Sequence, residues 1–242
     1  MSMPPRGPAP IPADFAGYRA TMRAAFRTAL AESAAGRLDE SAFPAYSHPN
    51  PLINWLFWQR LRVVMRFIEG RASVPRALDF GCGGGVMLPF LARHAARVLG
   101  LDTDLLPFQL MSDRIAFPAT AEVRDVTRSP LESLPAASFG LITALDVLEH
   151  VGNLTAVIGG LTRLLAPGGC LIVSGPTENF WYRIGRRLAG PEYSGTYHHR
   201  GIGEVRLELH RVLPVATVGR IYPLVTLFEV FAGLGPAGRP SG

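Results

Sequence analysis

The fold is decided by the stretch Asp79-Phe80-Gly81-Cys82-Gly83-Gly84-Gly85, which places alternating glycines directly after a short apolar run. Residues 76–78 before it are typical of a β-strand, and residues 86–92 after it are compatible with a helix. A strand, a glycine turn and a helix form the first half of a doubly wound α/β sheet, where ligands bind beyond the strand ends. Glycine lets the backbone approach a ligand closely, and the N–H groups that open the next helix favour an anionic group. The stretch therefore predicts a loop for a nucleotide-type cofactor.

The spacing of these glycines excludes two common nucleotide-binding loops. The dinucleotide fingerprint G-x-G-x-x-G needs a third Gly or Ala, at the position of Val86 or of Leu88 depending on which glycine pair is counted. No Lys-Ser or Lys-Thr pair follows, so a phosphate-binding P-loop is excluded as well. What remains is an acid followed by three alternating glycines.

This pattern resembles motif I of the class I S-adenosylmethionine-dependent methyltransferases, and the resemblance covers five elements in order over residues 76–175. The second and third strand-like runs end at Asp102 and Asp125, as the family pattern requires. The fourth run leads into Asp146-Val147-Leu148-Glu149-His150-Val151, which is similar to a segment of small-molecule members such as the ubiquinone-biosynthesis O-methyltransferases. Residues 164–173 look like the family's helix, Pro-Gly-Gly turn and fifth strand.

The resemblance implies an α/β fold: a Rossmann-like, seven-stranded, mostly parallel sheet with a reversed last strand, plus an N-terminal helical cap. It also implies that the glycine loop holds the methionine part of S-adenosylmethionine. Asp102 is expected to accept both ribose hydroxyls, a charge-assisted pairing. Asp125 is expected to take the adenine amino group, with the N–H of Val126 facing the ring. The expected cofactor-binding residues are Asp79, Gly81, Cys82, Gly83, Gly85, Asp102, Thr103, Asp125, Val126 and Leu145.

The chain of 242 residues is long enough for one α/β domain with additions. We expect a disordered tail over residues 1–13, a helical extension or cap over 14–70, a core over 71–233 and a flexible tail over 234–242. The extension is predicted to contain helices over 14–35 and 52–69, and such extensions lie over the active site in the resembled family. After the fifth strand, an insertion at about 176–201 is expected, and the predicted elements are a helix over 174–188, a helix over 204–210 and strands over 212–221 and 224–231.

Composition limits the partners and the compartment. The net charge is +5, but the 24 Lys and Arg residues are scattered and form no basic stripe with interleaved aromatic residues, so no nucleic-acid partner is expected. A weak attraction for anionic substrates or membrane surfaces stays open. The two cysteines, Cys82 and Cys170, lack C-x-x-C spacing, and the N-terminus lacks a signal pattern. The apolar stretch 221–234 is too short to span a bilayer. These features predict a cytoplasmic protein without a transmembrane segment, and they leave the oligomeric state open.

Three histidines are the candidate catalytic residues. Methyl transfer is an in-line displacement that needs a general base only if the acceptor is protonated. His198 and His199 lie on a predicted loop after the fifth strand, and one of them is the preferred base. His150 follows the fourth strand and is equally consistent with a structural histidine at a helix start. A metal site built from Asp146, Glu149 and histidines is conceivable, but no recognised ligand spacing is present, so no metal is expected.

Two aromatic clusters indicate the acceptor. They comprise Trp55, Phe57 and Trp58, and Phe180, Trp181 and Tyr182. Phe57 is assigned to the core and some of the others to the cleft, which predicts a small acceptor with an aromatic or lipophilic body. Together with the resemblance to O-methyltransferases, this predicts O-methylation of such a molecule. The alternatives are N- or C-methylation on the same fold, an NAD-dependent oxidoreductase, and a non-catalytic cofactor-binding partner subunit.

Overall fold

In the part of the chain that the structure describes, three helices come first, strands and helical segments then alternate, and the last two strands follow each other. The structure is a computed structural model that describes residues 7–33, 38, 43–177, 201–221 and 226–235. The helices in these ranges are α1 Phe15–Glu32, α2 Phe43–Ser47, α3 Pro51–Glu69, α4 Leu88–Leu91, α5 Leu106–Ser112, α6 Leu154–Leu164 and α7 Ile202–His210. The strands are β1 Val74–Phe80, β2 Ala95–Asp102, β3 Ala121–Asp125, β4 Phe139–Leu145, β5 Leu165–Pro176, β6 Val215–Ile221 and β7 Phe228–Leu234. Two short 3₁₀ turns lie at Leu131–Ser133 and Leu148–His150.

The strands form one sheet in the order β3-β2-β1-β4-β5-β7-β6. Neighbouring strands from β3 to β5 pair in parallel, whereas β7 pairs antiparallel with both β5 and β6. The seven-stranded, mostly parallel sheet with a reversed last strand is thus confirmed. The strand order reverses between β1 and β4, which is where open α/β sheets bind their ligands.

Adjacent apolar residues along the strands explain why both sheet faces are buried. Leu141 and Ile142 are neighbours in β4, so their side chains point to opposite faces. Leu141 packs in a core cluster with residues of α1 to α5, and Ile142 packs in a second cluster with residues of α6 and α7. Helices therefore cover both faces, as in other parallel sheets.

The N-terminal extension forms one of these helical layers. Asp14 caps the first turn of α1, and Asn50 followed by Pro51 begins α3, two signals that favour helix starts. Gly70 ends α3. The apolar face of α3 packs against β6 and β7. The extension is consequently part of the core on one face of the sheet, and it also contacts the glycine loop.

The segment before α1 is attached to the core. The backbone N–H of Ala9 donates to the carbonyl of Arg114 at 2.8 Å, and its carbonyl accepts from the N–H of Ala116 at 2.9 Å. The guanidinium of Arg93 donates to the carbonyls of residues 11–13 at 3.3, 2.7 and 2.9 Å. The expected disordered tail is therefore wrong for residues 9–13, because these carbonyl groups accept hydrogen bonds from the core.

Three element boundaries also differ from the predictions. The helix predicted over residues 86–92 is shortened to α4, because the turns of the glycine loop continue to Met87 and β2 begins at Ala95. A helix starting at Ser174 is wrong for residues 174–176, which β5 uses to pair with β7. The rest of that helix and most of the predicted insertion, residues 178–200, lie outside the described residues. The flexible tail is expected to begin at residue 234. In the structure Leu234 belongs to β7, and the N–H of Gly235 donates to the Gly169 carbonyl at 2.8 Å.

The apolar stretch near the C-terminus supplies strands to the sheet. Residues 228–234 form β7, whose buried side chains include Phe228, Val230 and Phe231. Within the described ranges, no helix is both long enough and apolar enough to cross a membrane.

Candidate functional site

The glycine loop after β1 has a left-handed backbone at three of its residues. Gly81, Gly83 and Gly85 have φ values of 74°, 50° and 75°, which residues with a Cβ rarely adopt. A Cβ added at Gly81 would lie 2.4 Å from Cγ2 of Val147, whereas at Gly83 no described atom lies within 4 Å. Gly81 is therefore packed against the protein, and Gly83 borders the space that is open to a ligand.

Asp102 joins this loop to the end of β2. Its Oδ2 accepts the N–H of Gly83 at 2.7 Å, and its Oδ1 accepts the N–H groups of Thr103 at 2.8 Å and Asp104 at 3.2 Å. A carboxylate has about four lone-pair positions, so it can accept further hydrogen bonds from a ligand. The predicted ribose carboxylate thus lies beside the open glycine.

Asp79 is buried beside the loop rather than open to solvent. The side chain is 3% exposed, and the Thr143 hydroxyl donates to its Oδ1 at 2.7 Å. Burial raises the pKa of this carboxyl to about 7, the hydrogen bond from Thr143 opposes the rise, and the charge of Asp102 adds to it. Asp79 therefore changes its ionisation near neutral pH.

Asp125 and Val126 follow β3 at the same edge of the sheet. The Thr127 hydroxyl and N–H donate to Oδ1 of Asp125 at 2.6 and 2.8 Å, and these bonds lower the pKa of the carboxyl. The N–H of Val126 donates to the Asp102 carbonyl at 2.8 Å. This bond continues the pairing of β3 with β2, and a position of Val126 beside an adenine ring stays a prediction. At the strand end, Oδ2 of Asp125 lies 3.6 Å from Nε of Arg128, an exposed side chain.

Three other expected cofactor residues lie around these carboxylates. Cys82 is 5% exposed and its sulfur packs beside Gly100, so the thiol contacts the neighbouring strand. Burial raises the pKa of this thiol well above its usual value. Thr103 is exposed and holds Asp102 through its N–H. Leu145 is half-buried at the end of β4.

The candidate bases are not brought together within the described residues. His150 is exposed at the end of the 3₁₀ turn that follows β4, and its N–H donates to the Val147 carbonyl at 3.0 Å. This places it beyond the carboxyl edge of the sheet, where the candidate cofactor residues also lie. His198 and His199 lie outside the described residues.

The three residues of the first aromatic cluster, on α3, lie in different environments. Trp58 is fully buried, and its Nε1–H donates to the Tyr46 carbonyl at 3.0 Å, so it belongs to the core. Phe57 is half-buried and packs against Tyr46 and Phe228. Trp55 is 37% exposed. The other predicted aromatic cluster, residues 180–182, lies outside the described residues.

Contacts between the extension and the loop were not predicted. The Tyr18 hydroxyl donates to the Val86 carbonyl, and the rings of Phe26 and Phe43 occupy the space where a Cβ of Gly84 would lie. Arg60 of α3 forms an ion pair with Asp146, directly after β4. One sequence signal for this pair exists: Arg60 lies four residues from both Leu56 and Val64, on the buried stripe of α3.

Asp146 is therefore engaged by an arginine. Within the described ranges, no group of three or more His, Cys, Asp or Glu side chains is arranged to hold a metal ion.

Comparison with known proteins identifies this arrangement. A family model described as a methyltransferase domain matches residues 54–231, which is most of the chain. The chain belongs to the class I S-adenosylmethionine-dependent methyltransferases. The match includes the glycine loop, the strand-end carboxylates and the first part of the last strand, β7, of this methyltransferase.

Curated relatives of this methyltransferase include ubiquinone biosynthesis O-methyltransferases. The protein from Hahella chejuensis is 34% identical over 116 residues, covering 47% of this chain and 49% of the relative. The protein from Pseudomonas putida is 31% identical over 144 residues, covering 58% of this chain and 57% of the relative. The matched region thus spans about half the length of these relatives.

Solved structures share the fold of this methyltransferase. Magnesium protoporphyrin IX methyltransferase from Synechocystis PCC 6803, with bound SAH, has a TM-score of 0.59 and 17% identity, covering 90% of this chain and 96% of that chain. The N-methyltransferase NodS from Bradyrhizobium japonicum WM9, in complex with S-adenosyl-L-homocysteine, has a TM-score of 0.56 and 20% identity, covering 89% and 99%. At these identities the likeness establishes the fold.

The described residues fit S-adenosylmethionine. The loop has an open side at Gly83. Asp102 and Asp125 are the last residues of the adjacent strands β2 and β3 and are directly opposite each other in the sheet register. Such carboxylates accept hydrogen bonds from the hydroxyl and amino groups of a nucleoside. The donor and acceptor chemistry of this edge therefore matches a nucleoside ligand with an elongated substituent at the loop.

Proposed function

We propose that this chain transfers the methyl group of S-adenosylmethionine to a hydroxyl oxygen of a small aromatic or lipophilic molecule. The observation that carries the proposal is the Asp102 carboxylate bonded to the N–H of Gly83, next to the open side of the loop. The names of the curated relatives favour oxygen as the methylated atom.

We assign the residues of this edge to three parts of the donor. The loop residues Gly81, Gly83 and Gly85 hold the methionine part, Asp102 accepts the ribose hydroxyls and Asp125 accepts the adenine amino group. Asp79, Cys82, Thr103, Val126 and Leu145 support these groups from buried or neighbouring positions. S-adenosylmethionine, when bound, supplies an electrophilic methyl group on a sulfonium.

The remaining work of the protein is to orient the acceptor and accept a proton. The acceptor oxygen must lie opposite the sulfur, and a hydroxyl acceptor has to lose its proton as the new O–C bond forms. His150, His198 and His199 are the proposed bases, since imidazole accepts protons near neutral pH. The apolar side chain of Leu145, half-buried at the end of β4, favours an acceptor with an apolar body.

Parallel calorimetric titrations with S-adenosylhomocysteine and NAD test the donor. We expect binding of S-adenosylhomocysteine alone, because the third small residue of the dinucleotide fingerprint is absent. Binding of NAD without S-adenosylhomocysteine would overturn the proposal. Methyl transfer from labelled S-adenosylmethionine to hydrophobic phenols and to small hydrophilic acids then tests the acceptor, and preference for the acids would contradict the acceptor class.

Asp102→Asn is expected to weaken S-adenosylhomocysteine binding by about 10- to 100-fold. The substitution keeps the side-chain shape and removes the charge, and hydrogen bonds to charged groups contribute about 1.5–3 kcal/mol. Calorimetry on the folded variant measures the change. Asp104→Asn is the matched control, because that carboxylate caps the N–H of Leu106 instead of the loop. Equal affinity of Asp102→Asn and Asp104→Asn for S-adenosylhomocysteine would contradict a role of Asp102 in binding the donor.

A further inference from the structure

Arg60 is a buried cation that links the N-terminal extension to the end of β4. Its side chain is 1% exposed, and Nη1 pairs with Oδ2 of Asp146, which is 22% exposed. Nη2 donates to the Tyr46 hydroxyl at 2.7 Å. The rings of Phe57 and Phe228 lie 5.3 and 5.4 Å from its Cζ atom. The guanidinium is thus held by an ion pair at Nη1 and a hydrogen bond at Nη2, while Nε is buried with no hydrogen-bond partner among the described residues.

Asp146 has a backbone conformation that depends on its surroundings. Its φ is 54°, in the left-handed region, where non-glycine residues are uncommon. Its N–H donates to the Ser174 carbonyl at 2.9 Å, and the Ser174 hydroxyl lies 3.3 Å from Oδ1. Such conformations persist where neighbouring groups hold them. Arg60 is the group that holds the second carboxylate oxygen.

The turn at Asp146 sets the position of Val147 against the glycine loop. The side chain of Val147 occupies the space where a Cβ of Gly81 would lie, 2.4 Å from its Cγ2 atom. The N–H groups of Gly81 and Cys82 donate to the Leu101 carbonyl at 2.8 and 3.2 Å, and the next residue, Gly83, reaches Asp102. A contiguous set of contacts therefore connects Arg60 with the residue that borders the open space.

We propose that Arg60 is a positioning residue for the methyl-donor loop, acting through Asp146 and Val147. The ion pair fixes the turn at Asp146, the turn places Val147 against Gly81, and this contact holds the loop in the conformation that presents Gly83. The affinity for the donor then depends on the N-terminal extension, through a side chain that is itself buried. This inference rests on the proposed function of the loop.

Substituting Arg60 and substituting Asp146 leave different unpaired charges in the protein. Arg60→Met leaves the Asp146 carboxylate unpaired, but that group is partly exposed and water can solvate it. Asp146→Asn leaves a buried guanidinium without its counter-charge, which is more damaging. Arg60→Met is therefore the primary variant, and Arg66→Met is its matched control, an exposed arginine on the same helix.

The test combines calorimetric binding of S-adenosylhomocysteine with amide hydrogen exchange over residues 81–87. Arg60→Met is expected to bind about tenfold more weakly than the wild type and to exchange these amides faster without ligand. Arg66→Met is expected to match the wild type in both readouts. In the Arg60→Met background, adding Asp146→Asn is expected to change the affinity by less than about twofold, because the pair acts as a unit.

Unchanged affinity and unchanged exchange in folded Arg60→Met would overturn the inference. If Arg60→Met does not fold, Arg60→Lys tests the role of Arg60. Lysine keeps the charge but lacks the planar guanidinium that contacts both Tyr46 and Asp146. About threefold weaker binding of S-adenosylhomocysteine and faster amide exchange are expected. Wild-type values for Arg60→Lys would then reject the role. If the wild type itself does not bind S-adenosylhomocysteine, the proposed function fails, and the exchange measurement still tests whether Arg60 holds the loop.

Discussion

Gly81→Ala is expected to lower the free energy of unfolding by about 3 kcal/mol. The backbone at Gly81 has φ of 74°, and a Cβ there would lie 2.4 Å from Cγ2 of Val147. A left-handed residue with a Cβ costs about 1–2 kcal/mol, and forcing a methyl group into a packed site costs about 1–3 kcal/mol. Urea unfolding of the variant and the wild type at one pH measures the difference.

Gly83→Ala separates the backbone cost of a left-handed residue from the steric cost of the added methyl group. This glycine has φ of 50°, and no described atom lies within 4 Å of the added Cβ. Only the backbone cost remains, so a loss of about 1 kcal/mol of stability is expected. Binding of S-adenosylhomocysteine should nevertheless fall by at least about tenfold, because the methyl group projects into the space that the ligand needs. Full affinity in stable Gly83→Ala would place the ligand elsewhere, and equal stability of the two variants would contradict the packing at Gly81.

The stability of the wild type is expected to fall between about pH 4 and pH 7 because of Asp79. Burial raises the pKa of this carboxyl to about 7 in the folded protein from 3.8. Between these values the folded state keeps a proton that the unfolded chain has released, so folding is favoured at low pH and the contribution is lost as pH rises through 7. A difference of roughly three pKa units corresponds to as much as about 4 kcal/mol.

Asp79→Asn should remove this pH dependence, because the amide stays neutral throughout. The difference in unfolding free energy between the variant and the wild type is expected to move in favour of the variant by about 3 kcal/mol from pH 4.5 to pH 8. Thr143→Val is expected to shift the window to higher pH, since it removes the hydrogen bond that lowers the Asp79 pKa. Parallel stability curves for Asp79→Asn and the wild type would contradict a buried, protonated Asp79.

The sheet and its ligand edge could be predicted because their signals are local. The glycine spacing after β1 and the acids that end β2 and β3 are visible as short motifs, and parallel strands bring their carboxyl ends to one edge. Asp102 beside Gly83 is the direct result. Strand pairing also gives the N–H of Val126 a partner, the Asp102 carbonyl, that sequence spacing does not reveal.

The contacts that hold the loop could not be predicted because they join distant parts of the chain. Arg60 has a visible position on the apolar stripe of α3, but its partner depends on how α3 crosses the sheet. Residues 9–13 likewise looked like a tail, because their acceptor role is set by Arg93 on another element. Motif spacing predicts where a ligand binds, whereas the support of that site depends on tertiary packing.

The bond from Tyr18 to the Val86 carbonyl also has a consequence for synthesis on the ribosome. The two residues are 68 positions apart, so the partner of the first helix is translated long after the helix itself. At about 5–20 residues per second the delay is roughly 3 to 14 s. During that interval the apolar face of α1, with Tyr18, Met22 and Phe26, lacks the core that later buries it. Until Val86 is translated, the apolar face of the nascent α1 is therefore open to non-native contacts.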